Sequence, residues 1–176
     1  TPYLKEIYAD KEFYFNAAGE LAIIKVTAPV VENALDGALE AYKKAYEVDV
    51  KQSKTKDIVT GLSTIAQKYL DEGMNSYTFG DLVKASQLFE KAVEASATAP
   101  LSKVDTTALY NAGYTAWAVK DYERAKNFFE QCLAANYYYE GGEVYAKLGD
   151  VYTNLGDAKK AAELLEQGFV KFPQSQ

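Results

Sequence analysis

Apolar residues recur every three to four positions along much of the chain, which predicts amphipathic helices. Leu82, Ala85, Leu88, Phe89, Ala92 and Val93 share one helical face, with Lys84, Gln87, Glu90, Lys91 and Glu94 on the other. The stripe returns as Tyr122, Ala125, Phe128, Phe129, Cys132 and Leu133, and again as Ala158, Ala161, Leu164, Leu165, Gly168 and Phe169. Each stripe follows a two-residue punctuation: Gly80-Asp81, Lys120-Asp121 and Gly156-Asp157. A glycine takes the left-handed conformation that stops one helix, and an aspartate accepts N–H bonds at the start of the next. The pattern therefore predicts helical hairpins.

Three segments superimpose without gaps. Each has a glycine, an alanine twelve residues later, a large apolar residue four further on, and a small residue three beyond that. The sets are Gly73, Ala85, Phe89 and Ala92; Gly113, Ala125, Phe129 and Cys132; Gly149, Ala161, Leu165 and Gly168. The small residues permit close helix approach, and the large ones fill the layer between hairpins. A lone hairpin of this kind cannot bury its apolar faces, so several must stack.

With these residues in view the chain resembles the tetratricopeptide repeat family, whose unit is a helix–turn–helix of about 34 residues. Units are expected at 66–99, 106–139 and 142–175, together forming a block from 57 to 176. The last unit carries Leu148-Gly149, Tyr152, Gly156, Ala161, Leu165, Gly168 and Pro173. The usual tryptophan near the start of each unit is absent, with Leu109 and Tyr145 in its place in the second and third. The resemblance implies an all-α fold, a right-handed α–α superhelix of about four helix hairpins with a concave inner face.

Upstream, residues 1–50 are expected to hold N-terminal helices and one degenerate hairpin. Ala38, Tyr42 and Ala45 mark its second helix; Phe13, Tyr14, Ala17, Ala18 and Leu21 mark a first helix from about Lys11 to Ile24. Leu4, Ile7 and Tyr8 have the spacing of a still earlier helix, and Pro29 lies in the join. Residues 51–56 read as a basic loop, followed by a long helix from about Asp57 to Phe79.

Composition narrows the chemistry. The absence of histidine excludes Ser-His-Asp and Cys-His catalysis and imidazole metal sites. A single cysteine, Cys132, excludes an intrachain disulfide, and its aromatic neighbours place it as a buried, inert thiol. The net charge of −6 argues against a nucleic-acid binder, and no apolar run approaches a membrane span. Ser53 to Lys56 fits a Ser-x-x-Lys pattern, but the partner motifs of that enzyme class are missing. Neither a convergent acid–base pair nor a metal cluster is legible, so no enzyme activity, cofactor or metal is expected. The first residues do not read as a signal peptide and lack an initiator methionine, which points to a processed or excised chain.

The 15 tyrosines are the compositional excess that calls for an explanation. Tyr110, Tyr114 and Trp117 fall at i, i+4 and i+7 and share a face distinct from that of Leu109, Ala112, Gly113 and Ala116. The resemblance places the contact positions of the first helices at Gln67, Leu70, Met74 and Tyr77, at Tyr110, Asn111, Tyr114 and Trp117, and at Ala146, Asp150, Thr153 and Asn154. From these, Met74, Tyr77, Tyr110, Asn111, Tyr114, Trp117, Asp150 and Asn154 are the candidate partner-binding residues; the alternative is that the rings merely complete the inner wall. Tyr137 to Tyr139 rank second, as groove-edge contacts or as wedges between repeats. A carboxylate clamp, known in some members of the family, would use Asn111 and Lys147, but Leu70, Met74 and Glu143 do not suit it. The function expected is a non-catalytic scaffold holding a peptide or helical segment of a partner protein. The alternative is self-association through an exposed terminal helix, as a homodimer or as part of a longer array.

Overall fold

The computed structural model describes residues 4–8, 11–15, 17–26 and 33–174. Its helices are α1 (Ala34–Val48), α2 (Thr55–Thr78), α3 (Leu82–Ala97), α4 (Thr106–Ala118), α5 (Tyr122–Ala134), α6 (Glu143–Asn154) and α7 (Ala158–Lys171). They pack in sequence order as antiparallel neighbours, forming an α-solenoid. A 3-10 turn, Glu140–Gly142, leads into α6.

The punctuation between paired helices works through shared residues. Gly80 and Gly156 adopt φ of +82° and +87°, and Lys120 takes the same left-handed turn at +64° without being a glycine. The next residue then serves both helices. The Asp81, Asp121 and Asp157 amides donate back to the Ser76, Ala116 and Tyr152 carbonyls, each at 2.9 Å. Their carboxylates accept from the amides of Lys84, Arg124 and Lys160 at 3.1, 3.3 and 2.9 Å. Each cap satisfies an amide that would otherwise lack a partner, an effect worth about 1 kcal/mol.

The glycine of each repeat is required by the ring or side chain opposite. A Cβ on Gly73 would stand 2.6 Å from Cε1 of Phe89, and one on Gly113 would stand 2.9 Å from Cδ1 of Phe129. At Gly149 the corresponding partner is Leu165, at 3.0 Å. One buried cluster joins Phe89, Leu109, Phe129, Cys132, Val144, Leu148 and Leu164; a second joins Leu39, Ile58, Leu62, Ile65 and Tyr69 between α1, α2 and α3. The outer row of helices is also tied by charge: Lys43 to Glu94 at 2.8 Å, Asp36 to Lys91, and Glu90 to Arg124.

The N-terminal segment departs from expectation. In place of helices over residues 1–9 and Lys11 to Ile24, the chain forms an antiparallel meander: β1 (Leu4–Tyr8), β2 (Lys11–Phe15) and β3 (Leu21–Val26). Phe13, Tyr14 and Phe15 are consecutive and satisfy a helical period as readily as an alternating one. Their aromatic rings, with Ile23 and Ile24, fit a pleated surface better. Gly19, at φ +79°, turns the chain between β2 and β3. Tyr14 and Ile23 are directly paired across the strands and both are buried, and Tyr14 packs edge-on against Phe79 with ring centroids 4.8 Å apart. The sheet thus sits at the C-terminal end of α2. The join containing Pro29 lies outside the described residues.

The basic segment is shorter than read from sequence, because α2 already begins at Thr55. Asp49 organises it, accepting from the Ser53 and Lys54 amides at 2.8 Å each. The lysines project from a turn built on a carboxylate.

Candidate functional site

The inner wall is built by α2, α4 and α6. Helix α4 is enclosed by neighbours on both sides, so buried residues appear around most of its circumference. Its tyrosines consequently differ in depth. Tyr110 is only 7% exposed and packs against Phe129 at 6.2 Å, inside the core and not along an open stripe. Tyr114 is half-buried, with its ring 6.1 Å from Tyr110, 6.2 Å from Tyr77 and 5.7 Å from Trp117. Tyr77 and Met74, on α2, stand exposed at 38% and 45%.

A cavity of about 350 Å³ opens between these side chains. Met74, Tyr77, Phe89, Tyr110, Asn111, Tyr114, Thr115, Tyr139 and Glu143 line it. Five of the eight candidates read from sequence are therefore brought together: Met74, Tyr77, Tyr110, Asn111 and Tyr114. The Asn111 amide rests 3.9 Å from the Met74 sulfur, linking α4 to α2 across the cavity.

Trp117, Asp150 and Asn154 have other occupations. The Trp117 indole N–H donates to Asp150 Oδ2 at 2.5 Å, joining α4 to α6. Lys147 lies over the same indole, with Nζ 3.6 Å from the ring centroid, and 5.2 Å from the centroid of Tyr114. Asn154 donates to the carbonyl of Asp150, one turn back on its own helix. The tryptophan end of the wall is thus satisfied within the chain, while the tyrosine end is open. Lys147 is also 3.7 Å from Glu143, so the lysine at the carboxylate-clamp position is already held by a carboxylate of the chain.

By sequence Tyr139 is a second-rank contact and Glu143 only an obstacle to a carboxylate. Both line the cavity. Tyr139 is stacked on Tyr110 with centroids 4.0 Å apart and planes at 11°. Its backbone holds φ of +56°, a conformation that side-chain-bearing residues seldom adopt, and this turn carries the ring back over α4. The neighbouring tyrosines take different positions: Tyr138 stacks on Tyr145 at 5.8 Å and meets Phe172, while Tyr137 lies 6.3 Å from Tyr110. Three adjacent tyrosines are a visible signal, but the left-handed turn that separates them is not.

Two of the cavity's hydroxyls hold their protons more tightly than an ordinary tyrosine does. Burial pushes the Tyr110 hydroxyl well above the ordinary tyrosine range, and the Glu143 carboxylate beside it pushes further. A hydrogen bond with the Tyr77 hydroxyl, then burial, raises that of Tyr114. Cys132, on α5, is fully buried, and burial raises its thiol to about 12. Among the described residues, no group of histidine, cysteine, aspartate and glutamate side chains is placed to hold a metal, and no helix is long and apolar enough to cross a membrane.

Stacked antiparallel hairpins with a side-chain-lined inner wall define a helical repeat protein of the solenoid class. A tetratricopeptide repeat family model matches residues 106–138 and 142–169, so this part of the chain is built of tetratricopeptide repeats. No curated protein sequence matches it. Among solved structures it is similar to a point mutant of MamA, at 17% identity and a TM-score of 0.50, covering 76% of this chain and 94% of that one. A crystal structure of MamA protein is similar at 18% identity and the same TM-score, covering 78% and 82%. At these identities the likeness concerns the fold alone.

Proposed function

We propose that the inner wall holds an extended or helical segment of a partner protein, and that one side chain of that segment seats in the tyrosine-lined cavity. The observation that carries this reading is the cavity itself. It is open, it draws on α2, α3, α4, α6 and the α5–α6 connection, and contacts among Met74, Tyr77, Tyr110, Asn111, Tyr114 and Tyr139 already fix its walls. Tyrosine offers large amphipathic area at a small entropic cost, which is why such rings dominate interface hot spots. A pre-formed wall also avoids part of the ordering penalty of association. The role is that of a non-catalytic scaffold.

Selection from a display library of short random segments, followed by fluorescence anisotropy, tests the reading. Tyr77→Ala and Tyr114→Ala are expected to weaken the selected segment at least tenfold while leaving helical circular dichroism unchanged. Undiminished binding by both variants would remove the cavity from the account.

A second reading is favoured by α7. Leu165, Phe169 and Val170 form an exposed apolar row, the last two 70% and 73% accessible. In this reading the row pairs with a second copy or with a further segment of a longer array. Sedimentation showing a monomer at micromolar concentration would eliminate the dimer.

A further inference from the structure

We propose that the cavity selects an arginine side chain of the partner segment. The inference rests on the docking reading above and adds the chemistry of the anchor.

The first ground is the lining. Tyr77, Tyr110, Tyr114 and Tyr139 surround the space, and Glu143 adds a carboxylate. Aromatic faces carry negative potential and attract cations, most strongly where water is excluded. Among the described residues, the lining itself contains no lysine or arginine, and the cation beside it, Lys147, is taken up by Trp117 and Glu143. Glu143 approaches Lys147 at 3.7 Å and Tyr110 adjoins it, yet a carboxylate has about four acceptor positions and retains capacity for a forked donor.

The second ground is an internal precedent on the same wall. Next to the cavity, Lys147 lies on the face of Trp117 and near that of Tyr114, between Glu143 and the Trp117–Asp150 bond. The chain fills this aromatic site with its own cation. The adjoining tyrosine site has the same chemistry, shares Tyr114 and Glu143 with it, and is left open. Tyr139, held in its left-handed turn over Tyr110, completes that open site, and such strain persists where surrounding structure enforces it.

The third ground distinguishes arginine from lysine. A guanidinium is flat, stacks on tyrosine rings, forks onto a carboxylate and sheds water more readily than an ammonium. Walls made of rings with one carboxylate at the edge suit that shape. The net charge of −6 also favours approach of a cationic segment.

The test is amide NMR titration of the whole chain with N-acetyl-arginine amide, N-acetyl-citrulline amide and N-acetyl-norleucine amide. Citrulline keeps the shape of arginine without its charge; norleucine keeps only the apolar stem. The arginine probe is expected to move the Tyr77, Asn111, Tyr114 and Glu143 signals with at least tenfold greater affinity than citrulline. Glu143→Gln should bring that ratio close to one. Tyr77→Leu, a change at an exposed rim position, should weaken the arginine probe at least threefold even if Glu143→Gln folds poorly. Equal binding of citrulline or norleucine would overturn the arginine assignment and leave the docking reading standing. If no probe moves the cavity signals, both fall.

Discussion

Replacing the three repeat glycines by alanine should give three different outcomes, although the substitutions are chemically identical. In a helix interior the change gains about 1 kcal/mol from backbone propensity. Against that stands the space each new methyl would enter. Carbon atoms settle about 3.5–4.0 Å apart. At Gly73 the methyl would meet the Phe89 ring at 2.6 and 2.7 Å, a shortfall of about 1 Å against a side chain 1% exposed. At Gly113 it would meet Phe129 at 2.9 Å and Phe128 Cβ at 3.3 Å, again against a fully buried ring. Overpacking of this kind costs about 1–3 kcal/mol. Gly73→Ala should therefore lose about 1–2 kcal/mol net, with Gly113→Ala at or slightly below the lower end. Gly149 faces Leu165 at 3.0 Å, but that side chain is 49% exposed on the last helix and can swing into solvent. Gly149→Ala should be neutral or stabilising by up to about 1 kcal/mol. For a chain of this length 1 kcal/mol moves Tm by about 2–4 °C, so thermal melts followed by circular dichroism resolve the order. The reasoning is refuted if Gly73→Ala melts at or above the parent, or if Gly149→Ala is the most damaging of the three.

Three further outcomes follow from side-chain environments. Trp117→Phe removes the N–H donated to Asp150 but keeps a ring face for Lys147; it should cost about 1 kcal/mol by urea denaturation and change segment binding less than threefold. The Asp36 carboxyl is held below its ordinary value by its hydrogen bond from Lys91 and then by that from Tyr69. Its folded pKa lies below the unfolded one, so its contribution is present above the unfolded pKa and is lost as pH falls through the folded value. The Tm difference between the parent and Asp36→Asn should thus be full at neutral pH and shrink as pH falls below about 5. Cys132, with its thiol raised to about 12 by burial, should resist iodoacetamide at about pH 8 while folded and react once the chain is unfolded in urea; native labelling at the rate of a free thiol would contradict its burial.

The repeats were legible because their constraints are local and recur. The glycine at 73, 113 and 149 marks a crossing point, the alanine twelve residues on faces it, and Asp81, Asp121 and Asp157 start the second helices. The N-terminal sheet was not, since Phe13, Tyr14, Ala17, Ala18 and Leu21 satisfy a helical spacing while the turn at Gly19 and the Tyr14–Ile23 pairing depend on the strands meeting. The candidate wall was legible in part. The family resemblance supplies Met74, Tyr77, Asn111 and Tyr114 as contact positions, and they meet at the cavity. Depth and partnership were hidden. Nothing in the spacing of Tyr110 and Trp117 shows that one lies under Tyr139 while the other is bonded to Asp150 and covered by Lys147. Those contacts arise from the α5–α6 connection and from α6, both distant in sequence from α4. Glu143 has the same history: as a sequence position it opposes a carboxylate ligand, and as a structural one it belongs to the cavity.

The central claim is that a partner segment docks at the tyrosine-lined cavity of the inner wall. The most direct measurement is the set of amide NMR shift changes on adding the tightest segment recovered by display selection. The account predicts the largest changes at Met74, Tyr77, Asn111, Tyr114 and Glu143, with Leu165, Phe169 and Val170 unmoved. Changes centred on α7, with the cavity signals still, would contradict it.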